Sequence, residues 1–537
     1  MTRNSTGNGD FAATVPHARP GDRYQFVFPG LAGRLDPRCQ ARNGSFSVVY
    51  DSSAYQWRSG PFAASARRIV YELHVPSFSP EGTLDGAAAR LPFLAALGVT
   101  LVELMPVADF EGAATGWGYN PSGLLGCPMA IFGGADALKR FVDTAHGLGL
   151  GVVLDVVFNH FDPGNALLAY DGYRGPSGNG IFFYQQKGFE ETYWGPRPDF
   201  SSAPVATFLQ DTLRQFVSEY RIDGFRFDCQ LLLLQHSHSA HRFDSTVCIR
   251  KPGQSCWTNP QNNAAGIAFL QNTTSMLGGL FSTAEDDQGD PAVTAPVASG
   301  GLGFQSQWGY HGFYYAFFAQ LTRPTNEHIN ASLVAALLQR SSEGPRVLFT
   351  ENHDMASNQN KGRVPAVVDP GGSAHQPSYW AAKKAMMGLA AAAVGNGVPM
   401  LFQGQELLTY ADFLFPVPPK VDWTLAVANA GIVREVTDLL HLPLRNNGTA
   451  VLQVADEAAA KVVVLSNNGL LCALNFDAAL PAFGLRGVPR DGLWQRVFDG
   501  DDPAYFPAFS GYGSSSFAAT RGRATVALAQ YSMACFH

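Results

Sequence analysis

The sequence has 537 residues, and its 37 Lys and Arg against 44 Asp and Glu give a formal net charge of −7. Apolar residues make up 46% and charged residues 15%, which is enough for a large core and excludes disordered, collagen-like and coiled-coil chains. No uninterrupted apolar stretch reaches the roughly 20 residues that cross a bilayer, and basic residues form no clusters. We therefore expect neither membrane insertion nor nucleic-acid binding.

The cysteines and the N-terminal segment indicate the cellular compartment in which the protein is expected. The seven cysteines are scattered without CxxC spacing, which argues against a disulfide framework and against a zinc site. A small bridge between Cys248 and Cys256 is the alternative, but disulfides are rare inside cells. The N-terminal segment lacks the apolar stretch of a signal peptide. We expect a cytoplasmic protein, with a plastid as the alternative in a eukaryote.

Both ends of the chain have the pattern of small β modules. Apolar patches at 24–28 and 46–50 lie between Gly, Pro, Asp and Asn turns, so residues 1–62 are predicted to form a short, partial β-sandwich. After residue 430 a short helical piece precedes strand-like runs, which lie at 460–465, 471–475 and 525–529. Residues 431–537 are predicted to form a C-terminal β-sandwich.

Residues 63–430 alternate between β-rich apolar runs and Ala/Leu-rich stretches at helical spacing. Eight strand-like runs lie at 69–75, 100–105, 151–158, 224–228, 280–284, 303–308, 346–350 and 398–402. Helices are predicted between them at 87–97, 134–148, 205–220, 331–339 and 377–394. Eight βα units predict an α/β fold with a (β/α)₈ TIM barrel, and an open doubly wound sheet is the alternative.

Polar residues end several of the eight runs. They include Asp155, Asn159, His160, Arg226, Asp228, Glu285, Asp286, Asp287, His353 and Asp354. In a barrel, the C-terminal strand ends meet at one pocket, where neighbouring acids can hold one carboxyl protonated and another ionised. A single Asp at a strand end is more often a loop starter or helix cap, so the prediction of an active site depends on the combination.

Arg226 and Asp228 are two residues apart on one predicted strand, so their side chains share a face. This suits a guanidinium that keeps a carboxylate ionised, and a structural salt bridge is the alternative. Two long insertions, 162–202 and 230–263, follow the third and fourth runs and are expected on the catalytic face. The second carries His236, His238 and His241, which we interpret as solvated loop residues rather than a metal site.

Four segments resemble the motifs of the α-amylase family of glycoside hydrolases and transglycosidases, in the family's order. They are Asp155-Val-Val-Phe-Asn-His160, Gly224-Phe-Arg-Phe-Asp228, Ala284-Glu285-Asp286 and Glu351-Asn-His-Asp354. The resemblance implies that Asp228 is the nucleophile, Glu285 the general acid/base and Asp354 the carboxylate that stabilises the transition state. It implies a retaining double displacement.

The resemblance also implies a sugar-binding subsite. Its predicted members are Tyr119, Asp155, His160, Arg226 and His353. Trp117, with Trp194 and Trp308, is a further candidate for stacking on glucose rings, and packing within loops is the alternative for each. No Gly-rich phosphate loop occurs, so no nucleotide or redox cofactor is expected. Some relatives hold a structural calcium where Asn159 lies, whereas branching-type members generally do without one, and no metal is expected.

The acceptor of the glycosyl group decides the activity. Secondary motifs at 118–122, 183–199, 301–308, 402–406 and 421–423 look like those of 1,4-α-glucan branching enzymes of glycogen and starch metabolism, and this activity is favoured. The segment 155–165 is also similar to maltooligosyltrehalose trehalohydrolases, so hydrolysis of an α-glucan is the alternative. A carbohydrate-binding scaffold without activity is the third hypothesis. The expected partner is an α-1,4-glucan such as glycogen, starch or a maltooligosaccharide.

Overall fold

The structure is a computed structural model that describes residues 2–3, 11–113, 115–187, 189–192, 194–228, 264–286, 289–323, 329–339, 344–458 and 460–537. A closed barrel of eight parallel strands forms its centre. The barrel strands are β6 (Val70–Leu73), β7 (Leu101–Leu104), β8 (Gly151–Val156), β9 (Gly224–Phe227), β10 (Phe281–Ala284), β11 (Ser306–Trp308), β12 (Arg346–Leu348) and β13 (Val398–Phe402). Each predicted run contains one of them, so the barrel is confirmed and the open sheet is wrong.

Helices surround the barrel and connect its strands. They are α1 (Val75–Phe78), α2 (Leu84–Ala88), α3 (Leu91–Leu97), α4 (Gly134–Gly147), α5 (Ala203–Tyr220), α6 (Ala264–Leu277), α7 (Pro291–Thr294), α8 (Tyr315–Leu321), α9 (Ala331–Leu338), α10 (Val364–Val368), α11 (Tyr379–Val394), α12 (Leu425–Ala428) and α13 (Ala430–Leu440). Four of the five predicted helices occur as single helices, and the predicted helix 87–97 is divided between α2 and α3. Helix α6 was not predicted because Gly266, Thr273 and Thr274 take buried positions, so the sequence shows no apolar stripe.

The N-terminal residues form two small antiparallel sheets. Strands β1 (Thr2–Arg3) and β2 (Phe11–Ala12) pair, and β3 (Arg23–Tyr24), β4 (Arg42–Asn43) and β5 (Phe46–Val48) form a sheet in the order β3-β5-β4. Arg42 Nε donates to Asp109 Oδ1 at 2.7 Å, in the loop that follows β7. Tyr170 Oη donates to the Leu35 carbonyl at 2.7 Å. The N-terminal sheet therefore packs on loops of the barrel.

The C-terminal residues form antiparallel sheets. The strands are β14 (Ala450–Glu457), β15 (Ala460–Asn467), β16 (Leu470–Asn475), β17 (Leu480–Arg486), β18 (Gly492–Asp499), β19 (Ser516–Ala519), β20 (Arg523–Leu528) and β21 (Ser532–Phe536). Six of them form a sheet in the order β14-β15-β16-β21-β18-β19, and β17 pairs with β20. A separate apolar cluster around Trp494 lies here. The exact domain boundaries stay predictions.

One disulfide, between Cys472 and Cys535, corrects the expectation drawn from cysteine spacing. The two residues are 63 positions apart in sequence and face each other on β16 and β21, which pair antiparallel. The spacing of cysteines along the sequence does not indicate a bridge of this kind, because the two residues meet only when the strands pair. Among the described cysteines, Cys39 and Cys127 are free and buried, and the predicted alternative bridge lies outside the described residues. Within the described ranges, no helix has the length and apolar character needed to cross a membrane.

Candidate active site

Arg226, on β9, is the centre of the pocket at the C-terminal strand ends. Its side chain is fully buried, and Nη1 lies 2.9 and 2.7 Å from the two carboxylate oxygens of Asp155. The same nitrogen donates to Asp228 Oδ1 at 2.8 Å, and Nη2 donates to Glu285 Oε2 at 2.7 Å. Burial opposes the charge of Arg226, but Asp155 and Glu285 outweigh it and hold the Arg226 pKa well above its ordinary value. Three predicted acids from three strands therefore share one guanidinium.

Asp155, at the end of β8, is shielded from solvent and binds a second donor. Tyr119 Oη donates to Asp155 Oδ2 at 2.6 Å. Burial raises the pKa of Asp155 to about 6, although Arg226 acts in the opposite direction. Burial and the neighbouring Asp155 charge raise the pKa of Tyr119 well above its ordinary value, so Tyr119 is a neutral donor.

Asp228 is held on both sides but keeps access to the pocket. Asn159 Nδ2 donates to Asp228 Oδ2 at 2.8 Å and to the Asp228 carbonyl at 2.9 Å, while Arg226 takes Oδ1. The Asp228 side chain remains 11% exposed. His160 Nε2 lies 2.8 Å from the Tyr119 carbonyl, which only accepts, so this nitrogen carries the proton. Burial lowers the pKa of His160 and favours its neutral form.

Asp354 is the most accessible of the three predicted catalytic acids, with 32% of its side chain exposed. Tyr310 Oη donates to Asp354 Oδ2 at 3.1 Å, and Asn352 Nδ2 donates to Tyr310 Oη at 2.8 Å. His353 Nε2 lies 3.4 Å from Asp354 Oδ1. From sequence, Asn352 is identified only as part of the fourth motif, and Tyr310, which lies 44 positions before Asp354 in no recognised motif, is not predicted.

A stacked contact joins the two sides of the pocket. The Tyr119 ring lies parallel to the His353 ring, with centroids 5.0 Å apart and an interplanar angle of 19°. Tyr119 therefore contacts Asp155 through its hydroxyl and His353 through its ring. The structure brings together the predicted residues Tyr119, Asp155, His160, Arg226, Asp228, Glu285, His353 and Asp354.

The three tryptophans proposed as stacking platforms differ in exposure. Trp117 is 7% exposed, stacks on Phe413 and meets the His353 ring edge-on. Trp308 is 1% exposed and lies beneath Arg226, with 4.3 Å from Cζ to the ring centroid. The low exposure of both rings favours the alternative of packing, and stacking on glucose stays a prediction. Trp194 is partly exposed, beside His160 at 5.4 Å.

The described residues contain no cluster of three or more His, Cys, Asp or Glu side chains arranged to hold a metal ion. Asn159, the ligand that a calcium-binding relative would supply, uses its amide nitrogen on Asp228, and its amide oxygen contacts His160 Nδ1. Both polar atoms of the Asn159 amide therefore have protein partners, and the absence of a metal stays a prediction. The three loop histidines lie outside the described residues.

Comparison with known proteins bears on the predicted resemblance to the α-amylase family. Residues 43–177 match the alpha amylase catalytic domain, a stretch that contains Tyr119, Asp155 and His160. The predicted recognition of an α-amylase family catalytic domain is confirmed for this stretch, and the homologues support an enzyme. The matched stretch includes the first of the four motifs, at 155–160, and the first three strands of the closed barrel.

Curated relatives fall into two groups. The chain is 28% identical over 548 residues to the 1,4-alpha-glucan branching enzyme GlgB 1 of Xanthomonas campestris, covering 93% of this chain and 72% of that protein. It is 35% identical over 233 residues to the malto-oligosyltrehalose trehalohydrolase of Deinococcus radiodurans, covering 42% and 36%. Among solved structures, a putative alpha amylase from Salmonella typhimurium has a TM-score of 0.67 at 24% identity, covering 96% of this chain and 90% of that one. That likeness supports the fold.

Proposed function

We propose that the protein cleaves α-1,4-glucans and transfers the released segment to a 6-hydroxyl group, as a 1,4-α-glucan branching enzyme. The observation that carries the chemistry is the Arg226 guanidinium, which holds Asp155, Asp228 and Glu285 in one pocket beside Asp354. Two carboxylates that flank one bond are the requirement for retaining glycosidic chemistry. The resemblance assigns these roles to Asp228 and Glu285.

In the proposed mechanism, Glu285 protonates the glycosidic oxygen while Asp228 attacks the anomeric carbon. The leaving sugar departs and a covalent glycosyl-enzyme forms. Glu285, now ionised, removes a proton from the acceptor hydroxyl, which displaces Asp228 with a second inversion. Arg226 and Asn159 support the first step because their hydrogen bonds to the two carboxylate oxygens fix the direction of the Asp228 side chain. Asp354 would stabilise positive charge on the sugar ring.

Branching is favoured over hydrolysis by the extent of the relationship. The likeness to the Xanthomonas branching enzyme runs through 93% of the chain and so extends into both flanking β regions. The likeness to the trehalohydrolase is higher in identity but covers 42% of the chain. This higher local identity makes release of trehalose from a trehalose-ended maltooligosaccharide the second candidate. The two activities use the same carboxylates and differ in the acceptor.

One experiment separates the candidates. The purified protein is incubated with amylose, and the iodine absorbance and reducing ends are followed before and after isoamylase digestion. Branching predicts a fall in iodine absorbance with no new reducing ends until isoamylase is added. New reducing ends in the first stage indicate hydrolysis, and free trehalose from a trehalose-ended substrate supports the second candidate. An Asp228→Asn variant that kept wild-type turnover would contradict the mechanism in either case.

The proposed chemistry draws on carboxylates and uses no cofactor. Treatment with a chelator should therefore leave the initial rate on amylose unchanged. A loss of rate that added Ca²⁺ restores would show that the chain requires a cation.

A further inference from the structure

A buried carboxylate lies behind His353 on the barrel's first strand. Glu72, on β6, is 1% exposed, and both of its oxygens contact the same residue. Oε1 lies 2.5 Å from His353 Nδ1, and Oε2 accepts the His353 backbone N–H at 3.1 Å. The two residues are 281 positions apart in sequence. Glu72 therefore holds the position of both the backbone and the imidazole of His353.

This contact determines how the imidazole can act. A carboxylate only accepts hydrogen bonds, so Nδ1 must carry a proton toward Glu72. The other ring nitrogen, Nε2, lies 3.4 Å from Asp354 Oδ1, which is a second acceptor. A neutral imidazole protonated on Nδ1 would direct a lone pair at Asp354. Only the imidazolium donates on both sides.

The packing around His353 prevents the ring from turning away. Tyr119 stacks on it at 5.0 Å, Trp117 meets it edge-on at 5.4 Å, and Trp308 lies 6.0 Å away. His353 itself is 2% exposed. The ring therefore stays in the plane that points Nδ1 at Glu72 and Nε2 at Asp354.

We propose that Glu72 is a positioning residue, which holds His353 as a doubly protonated donor with its Nε2–H directed toward Asp354 and the sugar bound beside it. This inference rests on the proposed function for the identity of the sugar. The carboxylate of Glu72 touches neither substrate nor the reacting atoms, and it acts through His353. Removal of the Glu72 carboxylate should therefore change the pH range in which His353 is charged, in addition to kcat.

The charges that face His353 support this role. Burial favours the neutral ring, but Asp354 and Glu72 outweigh burial and raise the pKa of His353 to about 9, while Arg226 opposes them. His74 also lies nearby, and burial lowers its pKa to about 4, so it is neutral.

Glu103 is the acidic neighbour that supplies a matched control. It pairs with Glu72 in the register of β6 and β7 and is 2% exposed. Burial and then the Glu72 charge raise the pKa of Glu103 well above its ordinary value, which favours its neutral form. Glu103→Gln keeps the shape of this buried side chain. Glu72→Gln instead removes a carboxylate on the neighbouring strand, β6.

The test compares the pH dependence of kcat on amylose for the wild type, Glu72→Gln and Glu103→Gln. Loss of an adjacent opposite charge lowers a histidine pKa by about one to two units, so the alkaline limb should move from near 9 to about 7.5 in Glu72→Gln. That shift lowers kcat about eightfold at pH 8.5 relative to wild type and much less at pH 6. Glu103→Gln should leave the limb in place. A limb that stays near 9 in Glu72→Gln, or that moves equally in both variants, overturns the proposal.

A second measurement does not depend on turnover. Selective ¹³C labelling of histidine Cε1, with His353→Asn to assign the signal, gives the titration of His353 by NMR in the wild type and in Glu72→Gln. We expect an imidazolium at pH 7.5 in the wild type and a lower midpoint in the variant. If Glu72→Gln does not fold, the wild-type titration decides, since a His353 that is neutral at pH 7.5 overturns the proposal. If the wild type does not act on amylose, the proposed function fails while this titration still tests Glu72.

Discussion

Removing the hydroxyl of Tyr119 should raise the lower pH limit of activity. Tyr119→Phe deletes the 2.6 Å hydrogen bond to Asp155 Oδ2 and keeps the ring that stacks on His353. The hydroxyl stabilises the ionised form of Asp155, so without it the carboxyl holds its proton more tightly. A protonated Asp155 loses its attraction to Arg226, which is the group that holds the other two acids.

The size of the effect follows from the type of hydrogen bond. A hydrogen bond to a charged group contributes about 1.5–3 kcal/mol, and one pKa unit corresponds to about 1.4 kcal/mol. The pKa of Asp155, which burial raises to about 6, should therefore rise by about one to two units in the variant. With a midpoint near 7.5, ionised Asp155 falls about fourfold at pH 7 relative to wild type. Activity at pH 9 should be much less affected.

The assay is the pH profile of kcat/KM on amylose between pH 4.5 and 9.5, followed by reducing ends after isoamylase. The matched control is Tyr505→Phe, because Tyr505 Oη donates to Asp438 Oδ2, also at 2.6 Å, and both residues follow the last barrel strand in the chain. The control removes the same kind of hydrogen bond and should leave the profile unchanged. A Tyr119→Phe enzyme that is folded and keeps the wild-type acid limb would refute the reasoning about Asp155.

Three further predictions concern stability. The pKa of His353 is raised to about 9 in the folded state, so the charged ring contributes about 3 kcal/mol to the free energy of unfolding. This contribution is complete below pH 6.5 and is lost as the pH rises through 9. Urea unfolding at pH 6 and at pH 9.5 would measure the difference. Lys383→Met leaves Asp501 buried without its ion-pair partner and should cost about 3–5 kcal/mol, measured by the same unfolding experiment. Replacing Cys472 and Cys535 by Ala opens a loop of 63 residues and should cost about 4 kcal/mol, and a reductant should lower the wild-type Tm but not that of the variant.

The barrel could be predicted from sequence because buried parallel strands are short, continuous apolar runs between helices. The predicted run at 151–158 corresponds to strand β8, Gly151–Val156, and 398–402 matches β13. The convergence of Asp155, Arg226 and Asp228 could also be predicted, since the fold brings C-terminal strand ends together. These features depend on the local pattern of apolar residues and on the rule that the C-terminal ends of barrel strands lie on one face.

Other features depend on contacts that no local pattern records. Glu72 meets His353 across 281 positions, and its only trace in the sequence is a charged residue within an apolar strand, Val70–Leu73. The Cys472–Cys535 bridge likewise depends on the register of β16 and β21. Trp117 is buried because a loop places Phe413 against its ring. The sequence alone does not distinguish a packed aromatic residue in a loop from an exposed one.

Two groups of charges meet in this pocket, and Tyr119 contacts both. On one side Arg226 binds Asp155 and Glu285, and on the other His353 lies between a buried carboxylate and Asp354. Tyr119 donates to the first group and stacks on the second. It comes from the loop after β7, whose Asp109 also binds the N-terminal sheet. The loop that positions Tyr119 is therefore held from outside the barrel, which gives the N-terminal residues a structural link to the catalytic acids.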